Sequence, residues 1–222
     1  MNDKILICGA GPSLTKNLED VKRLGKFPGT VFATDAAIKY LFEADIIPDH
    51  CACLEDLPAQ SKYFTPDIVK ERGGEIPGNG YISDRVAPTV RLAMSKAKIN
   101  ISIATKVRGV TTSNVGLFSW LIGHLILGAA DTYLIGMDHC YAKDQPPPVD
   151  RSSELFYWGF YTLWNPHQKI EIILNPAHEL WQEEFHWNMK QYPKVKVTNC
   201  TGWGALFGEN IKWDPIAEKT KW

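Results

Sequence analysis

The fold class is decided by the segment KILICGAGPSL, which spans residues 4–14. Its first half, Lys4–Cys8, is a short continuous apolar run, as expected for a strand covered on both faces of a sheet. After the glycines, apolar residues recur with helical spacing from Leu14 to Leu24. A buried strand that turns through glycines into an amphipathic helix is typical of the opening unit of a parallel α/β sheet.

Strand and helix patterns continue to alternate along the chain. Further strands are predicted at Thr30–Thr34, His50–Leu54, Tyr81–Ser83, Asn100–Ala104, Thr132–Ile135, Ile170–Leu174 and Lys194–Asn199. Helices are predicted at Ala36–Ala44, Val86–Ala97, Val115–Leu127 and Ala177–Gln191. This order predicts a Rossmann-like α/β fold, with a mostly parallel sheet and helices on both faces. We expect a single domain over residues 1–222, with mobile loops near residues 71–80 and 142–152.

Composition narrows the classes of partner. The net charge of −1 provides no basic surface for a nucleic-acid backbone. The most apolar run, Val115 to Gly128, is too short to span a bilayer, and residues 1–11 do not resemble a signal peptide. The five cysteines are odd in number and have no C-x-x-C spacing, which favours a reduced compartment. The sequence therefore predicts a cytoplasmic protein without a membrane span.

The glycine corner GAGPS, residues 9–13, is the strongest candidate for ligand binding. Gly9 and Gly11 allow the backbone to lie against a phosphate, whose charge would meet the N–H groups at a helix N-terminus. Pro12 suits the first turn, and the Ser13 hydroxyl can donate to a phosphate oxygen. The third glycine of the dinucleotide fingerprint is absent, and no P-loop motif occurs. A purely structural turn and simple NAD binding remain alternatives.

Carboxylates follow the second and third strands, at the sheet edge where ligands bind in this fold class. Asp35 stands where a ribose-binding acid is expected, and it would also serve as a helix N-cap. Glu55 and Asp56 end the third strand and could hold Mg²⁺ beside a diphosphate. A solvated loop explains that pair equally well.

Later strand ends add further polar candidates. Asp138 follows Gly136, which permits close approach of a ligand, and the neighbouring His139 could act as a general base with a pKa near working pH. Ser113 or Asn114 would make a good N-cap for the helix that begins at residue 115. Most of the eight tryptophans lie in the last third of the chain, where they could stack sugars or bases, although packing explains most of them.

Six motifs occur in the order seen in one known family. They are ICGAGPSL, TDAAIKYL, IIPDH, TTSNVG, LIGMDHCY and NCTGWGALFG. Together they resemble the MptE-like domain family, which includes the motility accessory factors (Maf) that modify flagellins and the archaeal 6-hydroxymethylpterin diphosphokinases. The resemblance runs from about Ile5 to Gly208, and the first and fifth motifs are also similar to those of small bacterial CMP-sialic-acid sialyltransferases.

The resemblance implies a transferase that binds a nucleotide through the glycine corner. The residues implied in nucleotide binding are Gly9, Gly11, Pro12, Ser13, Asp35, Ser113, Asn114, Gly136, Asn199 and Thr201, with Asp138 and His139 as catalytic residues. The favoured reading is a glycosyltransferase with a CMP-activated sugar of the sialic or nonulosonic acid type. Its acceptor would be a hydroxyl of a glycan, a protein or a pterin, and the protein could form a homo-oligomer.

Two other readings stay open at this point. A 6-hydroxymethylpterin diphosphokinase would move pyrophosphate from ATP with Mg²⁺ on Asp35, Glu55 and Asp56. That branch of the family carries T-D-L-D-G after its P-D step, whereas this chain has CACLED at residues 51–56, so only part of the acidic motif is present. The third reading is a family member that binds a nucleotide without catalysis.

Overall fold

The computed structural model describes residues 3–65, 75–110, 112–141 and 159–222. The strands in this part of the chain are β1 (Lys4–Cys8), β2 (Thr30–Thr34), β3 (His50–Cys53), β4 (Asn79–Ile82), β5 (Asn100–Ile103), β6 (Asp131–Ile135), β7 (Tyr161–Asn165), β8 (Ile170–Leu174), β9 (Lys196–Asn199) and β10 (Ile211–Trp213). The α-helices are α1 (Leu14–Leu24), α2 (Ala37–Glu43), α3 (Pro88–Lys96), α4 (Val115–Leu125) and α5 (Pro176–Gln191).

Eight of the strands form one parallel sheet in the order β10-β9-β6-β1-β2-β3-β4-β5. Alternate residues of β1 explain why helices cover both faces. Leu6 and Cys8 belong to the core cluster beneath α1, α2 and α3, whereas Ile5 and Ile7 belong to the cluster beneath α4 and α5. The predicted Rossmann-like α/β fold is confirmed.

The strand order changes direction at β1. From β1 the chain moves outward through β2 to β5, and it then returns to place β6 on the other side of β1. Cys8 pairs with Ile135 on that side and with Ala33 on the other. The carboxyl ends of β1 and β6 therefore lie side by side at the switch point, where open α/β sheets bind ligands.

The hairpin of β7 and β8 departs from the predicted alternation. The bounds Ile170–Leu174 were predicted correctly, but this strand pairs antiparallel with β7 in a separate two-stranded sheet instead of joining the main one. Several positions of both strands are exposed, so neither has the continuous buried run of a central parallel strand. The prediction missed β7 and the three-residue β10, as well as a 3₁₀ helix at Pro58–Phe64.

The predicted loops have mixed outcomes. Residues 79–80 of the expected loop at 71–80 form the start of β4, and the buried Gly80 packs against Met94, which leaves no room for a side chain. Residues 71–74 and the whole expected loop at 142–152 lie outside the described residues. All five cysteines are buried and unpaired. Within the described ranges, no helix has the length and apolar character needed to cross a membrane.

Candidate functional site

A cleft of about 320 Å³ lies at the switch point, above the carboxyl ends of β1, β2, β3 and β6. Its lining includes nine of the residues predicted from sequence: Gly9, Gly11, Pro12, Asp35, Glu55, Asn114, Gly136, Asp138 and His139. These residues come from five separate regions of the chain, which meet because parallel strands present their carboxyl ends at the same edge of the sheet.

Five predicted residues are not part of the cleft wall. Ser13 and Thr201 line a second cavity on the other side of the glycine corner. Asn199 is fully buried and has a structural role, since its amide donates to the Leu206 carbonyl at 2.7 Å and its Oδ1 accepts from the Thr201 N–H at 2.8 Å. The other two are Ser113 and Asp56, neither of which lines the cleft.

The glycines at the switch point allow two strand-end loops to touch backbone to backbone. The N–H of Gly9 donates to the Ile135 carbonyl at 2.9 Å, and the N–H of Gly11 donates to the Gly136 carbonyl at 2.8 Å. A Cβ on Gly11 would lie 2.7 Å from that carbonyl oxygen and would overlap the Asp138 carboxylate. Gly136 itself has a φ of +61°, which favours glycine. Close loop packing therefore accounts for these glycines.

The N–H groups of the glycine corner are already engaged inside the protein. Besides Gly9 and Gly11, the Ser13 N–H donates to Asp138 Oδ2 at 3.1 Å and the Leu14 N–H donates to the Gly11 carbonyl at 3.0 Å. Of the non-proline residues at positions 9–14, only Ala10 has an N–H without a hydrogen bond to a described residue. The expectation of bare amides therefore fails for Gly9, Gly11, Ser13 and Leu14, and nucleotide binding at this corner stays a prediction. The Asp138 carboxylate occupies the positive end of α1.

Asn17 holds the corner in place from the first turns of α1. Its Oδ1 accepts the Gly136 N–H at 3.1 Å and its Nδ2 donates to the Thr201 carbonyl at 3.0 Å. This side chain is buried on the apolar face of the helix, between Leu14 and Leu18. Asn17 was not among the residues predicted from sequence, although a polar residue within an apolar helical stripe is a detectable signal of a buried hydrogen-bonding role.

Asp138 is the most distinctive group of the cleft. Only 1% of its surface is exposed, and its Oδ1 is buried without a hydrogen-bond partner among the described residues. Burial raises the pKa of this carboxyl to about 6, although the hydrogen bonds from Ser13 act in the opposite direction. The group therefore changes charge near pH 6, and one of its oxygens has no hydrogen-bond partner among the described residues.

Asp35 and Glu55 form a second acidic region of the cleft. Asp35 Oδ1 accepts the Ala36 N–H at 2.7 Å, and helix α2 begins one residue later with Ala36 at the N-cap, so the predicted capping by Asp35 is not found. Burial, followed by the nearby charge of Glu55, raises the pKa of Asp35 to about 6. No three acidic, histidine or cysteine side chains of the described residues converge on a point that could hold a metal.

His139 has a different character from that predicted for a general base. Burial, and secondarily the charges of His178 and His186, lower the pKa of its imidazole to about 3. The ring is therefore neutral at physiological pH, and the expected pKa near working pH is not found. It lies edge-on to Trp181 and Phe185, at centroid distances of 6.2 and 6.4 Å. Its backbone adopts a φ of +50°, which is uncommon for a residue other than glycine.

Helix α5 closes one side of the cleft and was not predicted to do so. Its residues His178 and Trp181 line the cleft. Glu184, further along the same helix, accepts hydrogen bonds from the Thr112 hydroxyl at 2.9 Å and the Ser113 hydroxyl at 2.8 Å. The Ser113 side chain is thus hydrogen-bonded to α5 and does not line the cleft. Glu184 fixes the loop that leads into α4.

The N-terminus of α4 presents free amides to the cleft. Asn114 is the N-cap, because its Oδ1 accepts the Leu117 N–H at 3.0 Å, which confirms one of the two predicted capping residues. Val115 and Gly116 line the cleft, and their N–H groups make no hydrogen bond to a described residue. Val115 and Gly116 of α4 therefore add unpaired donors at the switch point to that of Ala10, whereas the N–H groups of Ser13 and Leu14 at the start of α1 are engaged.

Comparison with known proteins agrees with the resemblance found in the sequence. The family model described as 6-hydroxymethylpterin diphosphokinase MptE-like matches residues 1–144. A solved structure, a MAf glycosyltransferase from Magnetospirillum magneticum AMB-1, superposes with a TM-score of 0.68 at 17% identity and covers 99% of this chain. At that identity the likeness shows the fold, and this chain spans only 34% of that protein. No functionally curated protein matches the sequence. The family match covers well over half of the chain, which therefore belongs to the 6-hydroxymethylpterin diphosphokinase MptE-like family.

Proposed function

We propose that the protein is a nucleotide-dependent transferase that uses a CMP-activated sugar as its donor. Family membership supports a transferase, and the similar solved protein is described as a glycosyltransferase. The choice of CMP rests on the resemblance of the GAGPS and GMDHC segments to sialyltransferases. The observation that carries the proposal is the cleft itself, whose lining includes residues with unpaired amides and a carboxylate with an unpaired oxygen.

The phosphate of the donor lies at the N-terminus of α4 in this proposal. Two free N–H groups, those of Val115 and Gly116, reach the cleft there, and the helix dipole adds a positive field. The same groups stabilise the negative charge that grows on the phosphate as the bond to the sugar breaks. The Asp138 carboxylate would repel a phosphate at the N-terminus of α1.

Asp138 is the proposed general base. Its free Oδ1 accepts the proton of the acceptor hydroxyl while the acceptor oxygen forms a bond to the anomeric carbon. The bond from that carbon to the phosphate oxygen breaks, and CMP leaves with the electron pair. A carboxyl with a pKa of about 6 is ionised at pH 7 to 8 and is still basic enough for this role. His139 stays in the proposal as a neutral hydrogen-bonding neighbour.

Pyrophosphate transfer is the second candidate, and the pairing of Asp35 with Glu55 favours it. Both carboxylates line the cleft, and Mg²⁺ is often held by one or two carboxylates together with substrate phosphates. These two residues therefore fit Mg²⁺ bound with ATP, and the ion would supply charge neutralisation for the phosphates. Asp56 does not line the cleft and would not take part.

Ligand-induced thermal stabilisation separates the two candidates. We expect millimolar CMP to raise the melting temperature in the presence of EDTA, because a ligand that binds only the folded state stabilises it. Stabilisation by ATP that requires Mg²⁺, with none by CMP, would instead support pyrophosphate transfer. If no nucleotide has an effect, both candidates fail. Donor hydrolysis that is lost in Asp138→Ala distinguishes an enzyme from a protein that only binds the nucleotide.

A further inference from the structure

A second cavity lies on the opposite side of the glycine corner from the cleft. It encloses about 550 Å³, compared with about 320 Å³ for the cleft, and Pro12 lines both. That volume is typical of a small-molecule site. Its walls come from α1, from the turn between β7 and β8, and from the segments that follow β9 and β10. The proposed donor and a ligand in this cavity would therefore meet at Pro12.

Three aromatic side chains contribute to the wall of the second cavity. Trp203 and Trp213 line it, together with His167. The His167 ring stacks on Trp213 almost in parallel, with centroids 4.6 Å apart and planes at 6°. Broad, rigid rings of this kind bury the apolar face of a ligand while their edges keep polar contacts.

A hydrogen-bond acceptor in the same wall has no partner. The Nε2 of Gln168 donates to the Gly202 carbonyl, and its Oε1 is buried without a hydrogen bond to a described residue. The turn that carries it is firmly held, since the buried Asn165 donates from Nδ2 to the Gly204 carbonyl at 2.7 Å. A hydroxyl donor from a ligand would satisfy the free oxygen of Gln168.

The charges around the second cavity do not suit an anionic ligand. Its charged lining residues are Lys16, Asp20 and Glu218, so acidic groups outnumber basic ones. Asp20 is paired with Arg23 at 3.1 Å. Aromatic faces, an unpaired acceptor and the absence of excess positive charge in this lining together indicate a neutral ligand that carries hydroxyl groups.

We propose that the second cavity binds the acceptor and that this acceptor is a neutral saccharide. One of its hydroxyls would reach past Pro12 to Asp138 Oδ1 in the cleft. The role of this saccharide as the acceptor rests on the proposed function, whereas its binding is inferred from the cavity alone. Apart from Pro12, Ser13 and the α1 residues, the lining of this cavity lies beyond residue 144, outside the family match.

Fluorine NMR of protein labelled with 5-fluorotryptophan tests the proposal, with each resonance assigned by a Trp→Phe variant. Lactose and cellobiose serve as neutral probes, and CMP is titrated separately. We expect the disaccharides to shift the resonances of Trp203 and Trp213, and CMP to shift that of Trp181 in the cleft. If CMP has no effect while the disaccharides bind, the donor proposal fails and the saccharide site stands.

Matched variants make the result specific to the second cavity. Trp213→Ala should weaken disaccharide binding at least about tenfold, because it removes a stacking wall, whereas Trp213→Phe should retain part of it. The control is Trp164→Ala on β7, where the side chain is 55% exposed and does not line the cavity. The proposal is overturned if neither disaccharide perturbs these resonances up to about 50 mM, if Trp213→Ala binds like wild type, or if glucose 6-phosphate binds more tightly than the neutral sugars.

Discussion

The N-termini of α1 and α4 both approach the cleft, and they use their backbone N–H groups in opposite ways. At α1 the Ser13 N–H is bonded to the Asp138 carboxylate, so the protein supplies its own anion there. At α4 the N–H groups of Val115 and Gly116 reach the cleft without a described partner. The corner with the more recognisable glycine motif is thus the less available one for a phosphate.

This contrast teaches that a glycine-rich junction can serve packing as well as ligand binding. Gly11 is confined by the Gly136 carbonyl and the Asp138 carboxylate, whereas Gly116 is confined by the Met137 thioether and by the side-chain oxygen of Asn114. The Gly136 carbonyl directly follows β6 and is held by the Gly11 N–H, so it cannot move away, but a flexible methionine side chain can. The α1 corner is therefore expected to be rigid, and the α4 corner adaptable.

The largest expected effect tests that rigidity. Gly11→Ala should destabilise the protein by about 3 kcal/mol or more, because its methyl group overlaps groups that cannot relax. Gly116→Ala, the matched change at α4, should cost less than about 1.5 kcal/mol because Met137 can repack. Urea unfolding of both variants measures the difference. Equal losses of stability would show that the two corners are equally constrained.

The sequence allowed most of the sheet to be predicted, for a physical reason. Strands such as Lys4–Cys8 are covered on both faces, so their continuous apolar runs stand out. Strands β7 and β10 are short or partly exposed and lack that signal. The gathering of Gly9, Asp35 and Asp138 was also predictable, since parallel strands end at one edge of the sheet.

The hydrogen-bond partner and the burial of each site residue could not be predicted from the sequence. The Ser13 N–H donates to Asp138, which lies 125 positions later in the chain. The Thr112 hydroxyl donates to Glu184, which lies 72 positions later. A local motif carries no information on such distant partners. The low pKa of His139 likewise depends on burial against α5, which the sequence around that residue does not reveal.

A smaller effect follows from the charge at the α1 corner. The pKa of Asp138 is raised from 3.8 to about 6 in the folded protein, so folding favours the protonated carboxyl, and the resulting cost to stability appears as pH rises from about 4 to about 6. Asp138→Asn cannot ionise. Relative to wild type, this variant should gain about 2 kcal/mol of stability at pH 7, and the full shift in the pKa of Asp138 sets an upper limit of about 3 kcal/mol. The gain should vanish near pH 4.

Urea unfolding between pH 4 and pH 7.5 checks this expectation, and Glu19→Gln on α1 serves as the control that removes an exposed carboxylate. Comparing each variant with wild type removes the contributions of Asp35 and His139, which titrate in both proteins. A difference for Asp138→Asn that does not change with pH would contradict the buried, ionisable carboxylate at α1.

The smallest effect probes the free amides of α4 directly. Val115 is the first residue of that helix, a position that accepts proline, and Asn114 has the extended backbone that must precede one, with φ of −126° and ψ of 130°. Val115→Pro should therefore keep α4 intact while removing one N–H donor from the cleft. The expected loss is about tenfold in CMP affinity, or about 1.4 kcal/mol. Calorimetric titration compares it with Val115→Ala, which shortens the side chain but keeps the N–H. If the two variants bind CMP equally, the phosphate does not lie at α4, and the contrast between the two helix N-termini has no bearing on donor binding.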